Sequence, residues 1–328
     1  QSRNLRPSVS DGHVSLEKIK AIQNTETEIE IGSKVPNIIC KLNCSCCYLT
    51  KAKRNILNRA PKRPIALQST KQGGIPESQM RSEIKTFGHL VFTDILYMNI
   101  PSIEGELYVV HFVDCASRFC KTYLLKTRDE MYVYLQDFID WVKSQVHVNR
   151  PGIRNCVRII LSYRAGEYVG KEWQSICRKN SVKFQYTNTD AHEEANVAER
   201  IWQTLQDSMR AMMCTAQFQK KEWGLAFHHA QWLYNRTPHN HHGNKLSPFE
   251  FVTGLKPDFS KVRVFGCKCY KFQFKHNRVD KLDQRATSCL YVGHLDERAN
   301  TYRLYFRETG KVQEGGFAQF DENFNEVG

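Results

Sequence analysis

The sequence has no apolar run approaching the ~18 residues that a membrane helix needs, so no segment reads as a bilayer span. Its first residues, Gln1-Ser2-Arg3-Asn4-Leu5-Arg6-Pro7, lack both the apolar core of a signal peptide and an initiator Met. The expectation is a chain that begins inside a longer one. It has no internal repeat. It also lacks the context for a disulfide framework, because its 12 cysteines come without a secretion signal. Cys115, Cys156, Cys177, Cys214 and Cys289 stand singly in apolar surroundings and read as small buried hydrophobes. Only Cys40, Cys44, Cys46 and Cys47 cluster. Acid is the scarcer charge: 34 Asp and Glu face 47 Lys and Arg, a net charge of +13. That excess is spread along the chain and suits a polyanionic partner, since each cation placed on a phosphate releases condensed counterions.

What is present is enough for several domains, with 328 residues and a hydrophobic fraction of 41%. Residues 1–50 hold a short helical pattern, Ser15 to Ile22, and end in the cysteine cluster. Residues 51–85 form a linker or arm, rich in Lys, Arg, Pro, Gly and Ser with little periodicity. Residues 86–254 read as one α/β domain. Leu90–Leu96, Leu107–Val113 and Phe119–Leu125 are strand-like, and Asp129–Val146 is amphipathic at helical spacing. Val157–Leu161 and Val182–Tyr186 are further strands, Lys171–Asn180 a short helix, and a longer helix starts near Asn196. The order βββαβαβα is that of a ribonuclease-H-like fold. Residues 255–328 read as a small β-barrel or a β-rich tail, with strands at Lys261–Phe265, Cys267–Phe274, Ala286–Val292 and Thr301–Phe306.

The chemistry rests on two acids and a vacancy. Two-metal phosphoryl transfer needs carboxylates converging on two Mg²⁺ ions about 4 Å apart, because a hard cation prefers charged oxygen. In a fold of this order one acid sits on the first strand, one follows the fourth, and one points back from the last helix. Asp94 and Glu199 match the first and third places, while Tyr163 stands at the second. A phenol with a reference pKa of about 10 is neutral at working pH and is no substitute for a carboxylate. Glu167, four residues on, is a candidate substitute ligand but reads better as a supporting or surface acid, and Asp114 as a turn or capping residue.

In detail the chain resembles the integrase region of Ty1/copia-type retrotransposon polyproteins. The resemblance is carried in order by Phe92-Thr93-Asp94, by Phe112-Val113-Asp114-Cys115-Ala116-Ser117-Arg118-Phe119, by Leu161-Ser162-Tyr163-Arg164-Ala165-Gly166-Glu167-Tyr168 and by Val197-Ala198-Glu199-Arg200. Leu246-Ser247-Pro248-Phe249-Glu250, Val262-Arg263-Val264-Phe265-Gly266-Cys267, Tyr291-Val292-Gly293 and Phe320-Asp321-Glu322-Asn323 continue it. It implies a zinc-binding-like region over 1–50, a basic linker over 51–85, an integrase core over 86–254 and an SH3-like barrel over 255–328. Asp94 and Glu199 are then implied ligands of Mg (or Mn). The implied reaction is removal of nucleotides from DNA 3′ ends and attack of the 3′-OH on target DNA. Implied partners are element and target DNA and further copies of the chain. The implied setting is the nucleus, with a virus-like-particle stage in the cytoplasm. With Tyr163 at the place of the second acid, the expectation is a copy that is catalytically dead or severely impaired. The alternative from another class is a DNA-binding or assembly module without chemistry.

Cys44 and Cys47 have the C-x₂-C spacing of two thiolates on one Zn²⁺. His13 resembles the second histidine of the family's upstream pair, but Ser8 occupies the place of the first. The readings are a zinc site on His13, Cys44 and Cys47, completed by Cys40 or Cys46, or a cysteine-rich remnant without metal. His228, His229, His239, His241 and His242 read as surface histidines, and Trp202, Trp223 and Trp232 as packing residues.

Overall fold

The computed structural model describes residues 86–145, 156–162, 170–186, 192–239, 246–274, 278, 280, 282–295 and 301–322. The helical pattern, the linker, His13, Cys44 and Cys47 lie outside the described residues, as do His241 and His242.

A five-stranded mixed sheet forms the first layer. Its strands are β1 (Leu90–Tyr97), β2 (Tyr108–Asp114), β3 (Cys120–Leu125), β4 (Ile159–Ser162) and β5 (Lys183–Tyr186), in the order β3-β2-β1-β4-β5. β1 to β3 pair antiparallel as a meander, whereas β4 and β5 run parallel to β1. The parallel pairings follow helical crossovers, which is how a chain returns to the same sheet edge-on. β1 is central, and Leu90-Val91-Phe92-Thr93 are buried on both faces.

One face is covered by α1 (Met131–Ser144) and α2 (Lys171–Lys179). On α1, Met131, Leu135, Phe138, Ile139 and Val142 recur at helical spacing, so one stripe is buried against Val91, Val110, Phe112 and Ile160. The other face is covered by α3 (His192–Thr215) and α4 (Trp223–Arg236). α3 starts earlier than its apolar periodicity implies. Every residue of α4 except His228 is buried. A helix buried on nearly every side belongs between layers, and α4 does lie between two sheets. His229 is therefore a buried residue and not a surface one: Trp232 stacks on it at 6.1 Å and Phe265 at 5.5 Å. Its neighbours on the helix are large hydrophobes, and the histidine face follows them inward.

A short helix, α5 (Pro248–Thr253), follows, with Ser247 capping Glu250 N–H and Gly254 closing it in the left-handed conformation. The second sheet contains β6 (Lys268–Phe272), β7 (Ala286–His294), β8 (Tyr302–Phe306), β9 (Lys311–Gly315) and β10 (Ala318–Asp321), in the order β10-β6-β7-β8-β9 and antiparallel throughout. The strand expected over Lys261–Phe265 is absent. Val262 and Phe265 instead plug the core shared with α4, and Val264 the interior of the second sheet. Alternation there reports insertion into two cores, with no neighbouring strand to pair. β9 and β10 carry only exposed or partly exposed residues and give a weak alternation signal.

The second sheet rests on α4 through Leu290, Val292 and Tyr305, within the same core as Val109, Trp202 and Phe227. Arg307 reaches back to the buried Glu222, Nε to Oε1 at 3.2 Å. Glu222 also accepts from Gln219 N–H at 2.6 Å, closing the turn that opens α4.

Candidate active site on the helical face of the sheet

Asp94 lies past the buried half of β1, where the strand becomes half-exposed. Its Oδ1 accepts the Ile95 N–H at 2.9 Å. It pairs in register with His111 on β2, so both side chains belong to one face of the sheet. α3 packs against β1 on that face and carries Glu199. Ala198, Ile201, Trp202 and Leu205 are the buried positions of α3 here, while Glu199 is exposed at the rim. Gln203 donates to Glu199 Oε1 at a long 3.4 Å, so the carboxylate keeps most of its acceptor capacity.

Thus the fold brings the elements of Asp94 and Glu199 together. Tyr163 and Glu167 lie outside the described residues. Ser162, the last residue of β4, pairs with Thr93, the neighbour of Asp94. Among the described residues no three of His, Cys, Asp and Glu gather as a metal site.

His111 was not singled out by motif reasoning. It is fully buried, neither ring nitrogen has a hydrogen-bond partner, and Trp202 packs on it with ring centroids 4.2 Å apart. Burial pushes its pKa down to about 3, so the ring is neutral. A lone His amid Val109-Val110 and Phe112-Val113 was the available signal. Asp114 has the capping role expected of it. It accepts from Gly88 N–H at 2.8 Å, Ser117 N–H at 2.7 Å and Ser117 Oγ at 2.6 Å, which fixes the β2–β3 turn. Burial still outweighs those donors and raises its pKa to about 6.

An integrase core domain matches residues 87–191, and a retroviral polymerase SH3-like domain matches residues 267–327. Glu199 and α4 fall between the two matched stretches. The retrovirus-related Pol polyprotein from transposon TNT 1-94 of Nicotiana tabacum is 30% identical over 217 residues, 66% of this chain and 16% of that polyprotein. The corresponding polyprotein from transposon RE1 of Arabidopsis thaliana is 24% identical over 287 residues, 86% of this chain and 17% of that one. The chain therefore spans no more than 17% of the length of either relative. Among solved structures, the catalytic core domain of BIV integrase has a TM-score of 0.37 at 14% identity, covering 50% of this chain and 93% of that one. Scores of that size align no individual side chains. By the two domains it carries, their order, and relatives that match most of its length, the chain belongs to the integrase region of the Pol polyproteins of copia-type LTR retrotransposons.

Proposed function

We propose that this chain descends from an enzyme that trimmed element DNA at its 3′ ends and joined the 3′-OH to host DNA, and that this copy no longer does so. The observation that carries the reading is Tyr163, which follows the β4 residue paired beside Asp94. Two Mg²⁺ (or Mn²⁺) ions need three converging carboxylates. Asp94 and Glu199 are oxygen donors of the right chemistry, but the set is one acid short and does not fit a metal pair. The phenol is neutral and bulkier than the carboxylate it replaces.

A strand-transfer assay with the purified chain, terminal-repeat DNA and Mg²⁺ or Mn²⁺ tests this. No joined product is expected from the unmodified chain, and Tyr163→Asp is expected to restore some. Robust joining by the unmodified chain overturns the proposal.

The net charge of +13 favours a second, compatible reading, that duplex DNA is bound without chemistry. Binding should weaken steeply with salt and be unchanged by Asp94→Ala or Glu199→Ala. Loss of all binding at moderate salt counts against both readings. A homo-oligomer acting in the nucleus, after a particle-borne stage in the cytoplasm, completes the proposal. Zinc on His13, Cys44 and Cys47 belongs to it only if the purified chain retains the metal. Among the described residues, no helix is long and apolar enough to cross a membrane.

A further inference from the structure

Three cysteines, Cys267, Cys269 and Cys289, meet inside the second sheet, packed with Tyr291, Tyr302 and Leu304. Two of them are more than neighbours. Cys269 on β6 and Cys289 on β7 are direct partners in the antiparallel register. Their sulfurs lie 3.3 Å apart, and each thiol also faces the other residue's carbonyl, at 3.4 and 3.5 Å. Directly opposed residues on antiparallel strands have Cα atoms about 4.5–5.5 Å apart, inside the ~4.4–6.8 Å window that a disulfide spans. Closing the bond therefore asks the sulfurs to approach by roughly 1.3 Å, to the ~2.05 Å of an S–S bond, with side-chain rotation and little backbone movement.

The geometry points to a redox-active dithiol at Cys269 and Cys289, which a small-molecule disulfide converts into a cross-strand disulfide stapling β6 to β7. The two thiols are not equivalent. The hydrogen bond between the two sulfurs holds Cys269 protonated, burial adding to it, and favours the thiolate of Cys289. Cys289 is then the attacking sulfur. Its thiolate attacks one sulfur of oxidised glutathione; the glutathione S–S bond breaks and one glutathione thiol leaves. Cys269 then gives up its proton and attacks the Cys289 sulfur of the mixed disulfide, and the second glutathione thiol leaves. Two protein thiols become one disulfide, and one glutathione disulfide becomes two thiols carrying the two protons. Both cysteines are buried, so the exchange waits on local opening of the sheet and is slow.

The full chain, equilibrated in reduced and in oxidised glutathione, tests this after blocking of free thiols, proteolysis and mass spectrometry. To remove any question of access, a second sample is refolded from denaturant in the same buffers. The expected result is one cross-linked peptide joining residues 269 and 289 in the oxidised samples. Dithiothreitol should reverse it, and the oxidised chain should melt at a higher Tm than the reduced one. Cys269→Ala and Cys289→Ala should each abolish both the link and the Tm difference, whereas Cys267→Ala should preserve them. Recovery of both residues as blocked free thiols from the redox-refolded sample overturns the proposal. So does each one carrying glutathione separately, or a link that runs to Cys267.

Discussion

At the scale of single residues, close approach of backbones decides more than side-chain chemistry. Gly266 has φ +78°, and a Cβ there would meet the Ala216 Cβ at 2.3 Å, with the Ala216 Cα behind it at 3.3 Å. Nothing flexible stands in the way to yield. Gly266→Ala should therefore destabilise the fold by about 2–4 kcal/mol, the sum of left-handed strain and overpacking. Urea unfolding of the variant checks this, and an unchanged midpoint would show that the turn after α3 and the turn before β6 are not in contact. Gly293, at φ +121°, faces His229 Nδ1 at a Cβ distance of 2.7 Å. It is the point where the second sheet touches the histidine buried on α4. Neither close approach has a sequence signature beyond a glycine, because the atom that would clash comes from a distant part of the chain.

At the scale of elements, α4 holds the edge of the first sheet by polar clamps. Asn235 Oδ1 accepts the Cys120 N–H at 2.9 Å and its Nδ2 donates to the Cys120 carbonyl at 2.8 Å. Thr122 and Gln231 add a bond at 2.9 Å between β3 and the same helix. Asn235→Ala orphans a buried donor and a buried acceptor, so a loss of about 2–4 kcal/mol is expected. Asn235→Asp should be as harmful, since a carboxylate cannot donate to the Cys120 carbonyl. Calorimetric melting of the two variants, with no loss for either, would remove the clamp. The strands β1 to β4 and helices α1 and α2 were legible in the sequence because each buries one stripe or one run, leaving a period of 2 or 3.6, and β5 through the alternation of Val182, Phe184 and Tyr186. Asp94 and Glu199 were singled out for another reason, their flanking motifs, and what the structure adds is that their elements, β1 and α3, pack together. The stretch Lys261–Phe265 was misread, because alternation is the same whether residues face a sheet or two cores. His229 was misread as exposed because histidine is polar by type, while the fold spends it as an aromatic ring between Trp232 and Phe265.

At the scale of the whole molecule, buried titratable groups set how stability varies with pH. His111 and His229 are held at about 3 and His294 at about 4, all by burial, against an ordinary 6.5. Each stays neutral when folded and takes a proton when unfolded. Their stability is complete above pH 6.5 and is lost as pH falls toward the folded values. Asp114 runs the other way. Its folded pKa of about 6 exceeds the ordinary 3.8, so between those values the folded state holds the extra proton. Between pH 4 and 6 these four groups leave the unfolded state roughly two protons ahead, and stability should drop by on the order of 2–3 kcal/mol per pH unit of acidification. Urea midpoints at pH 6.5, 5.5 and 4.5 measure the slope; a flat profile would mean that these rings are hydrated in the folded chain.

His229 and His294 both stack on Trp232, and the core around them belongs to both sheets at once. Domain dissection meets a difficulty there. A cut between α5 and β6 would leave one fragment with a wet, aromatic-studded helix face and the other with Leu290, Val292 and Tyr305 uncovered. The two stretches that match known domains, 87–191 and 267–327, end and begin on opposite sides of α4. They are units of descent, and the unit of folding is what α4 makes of them together.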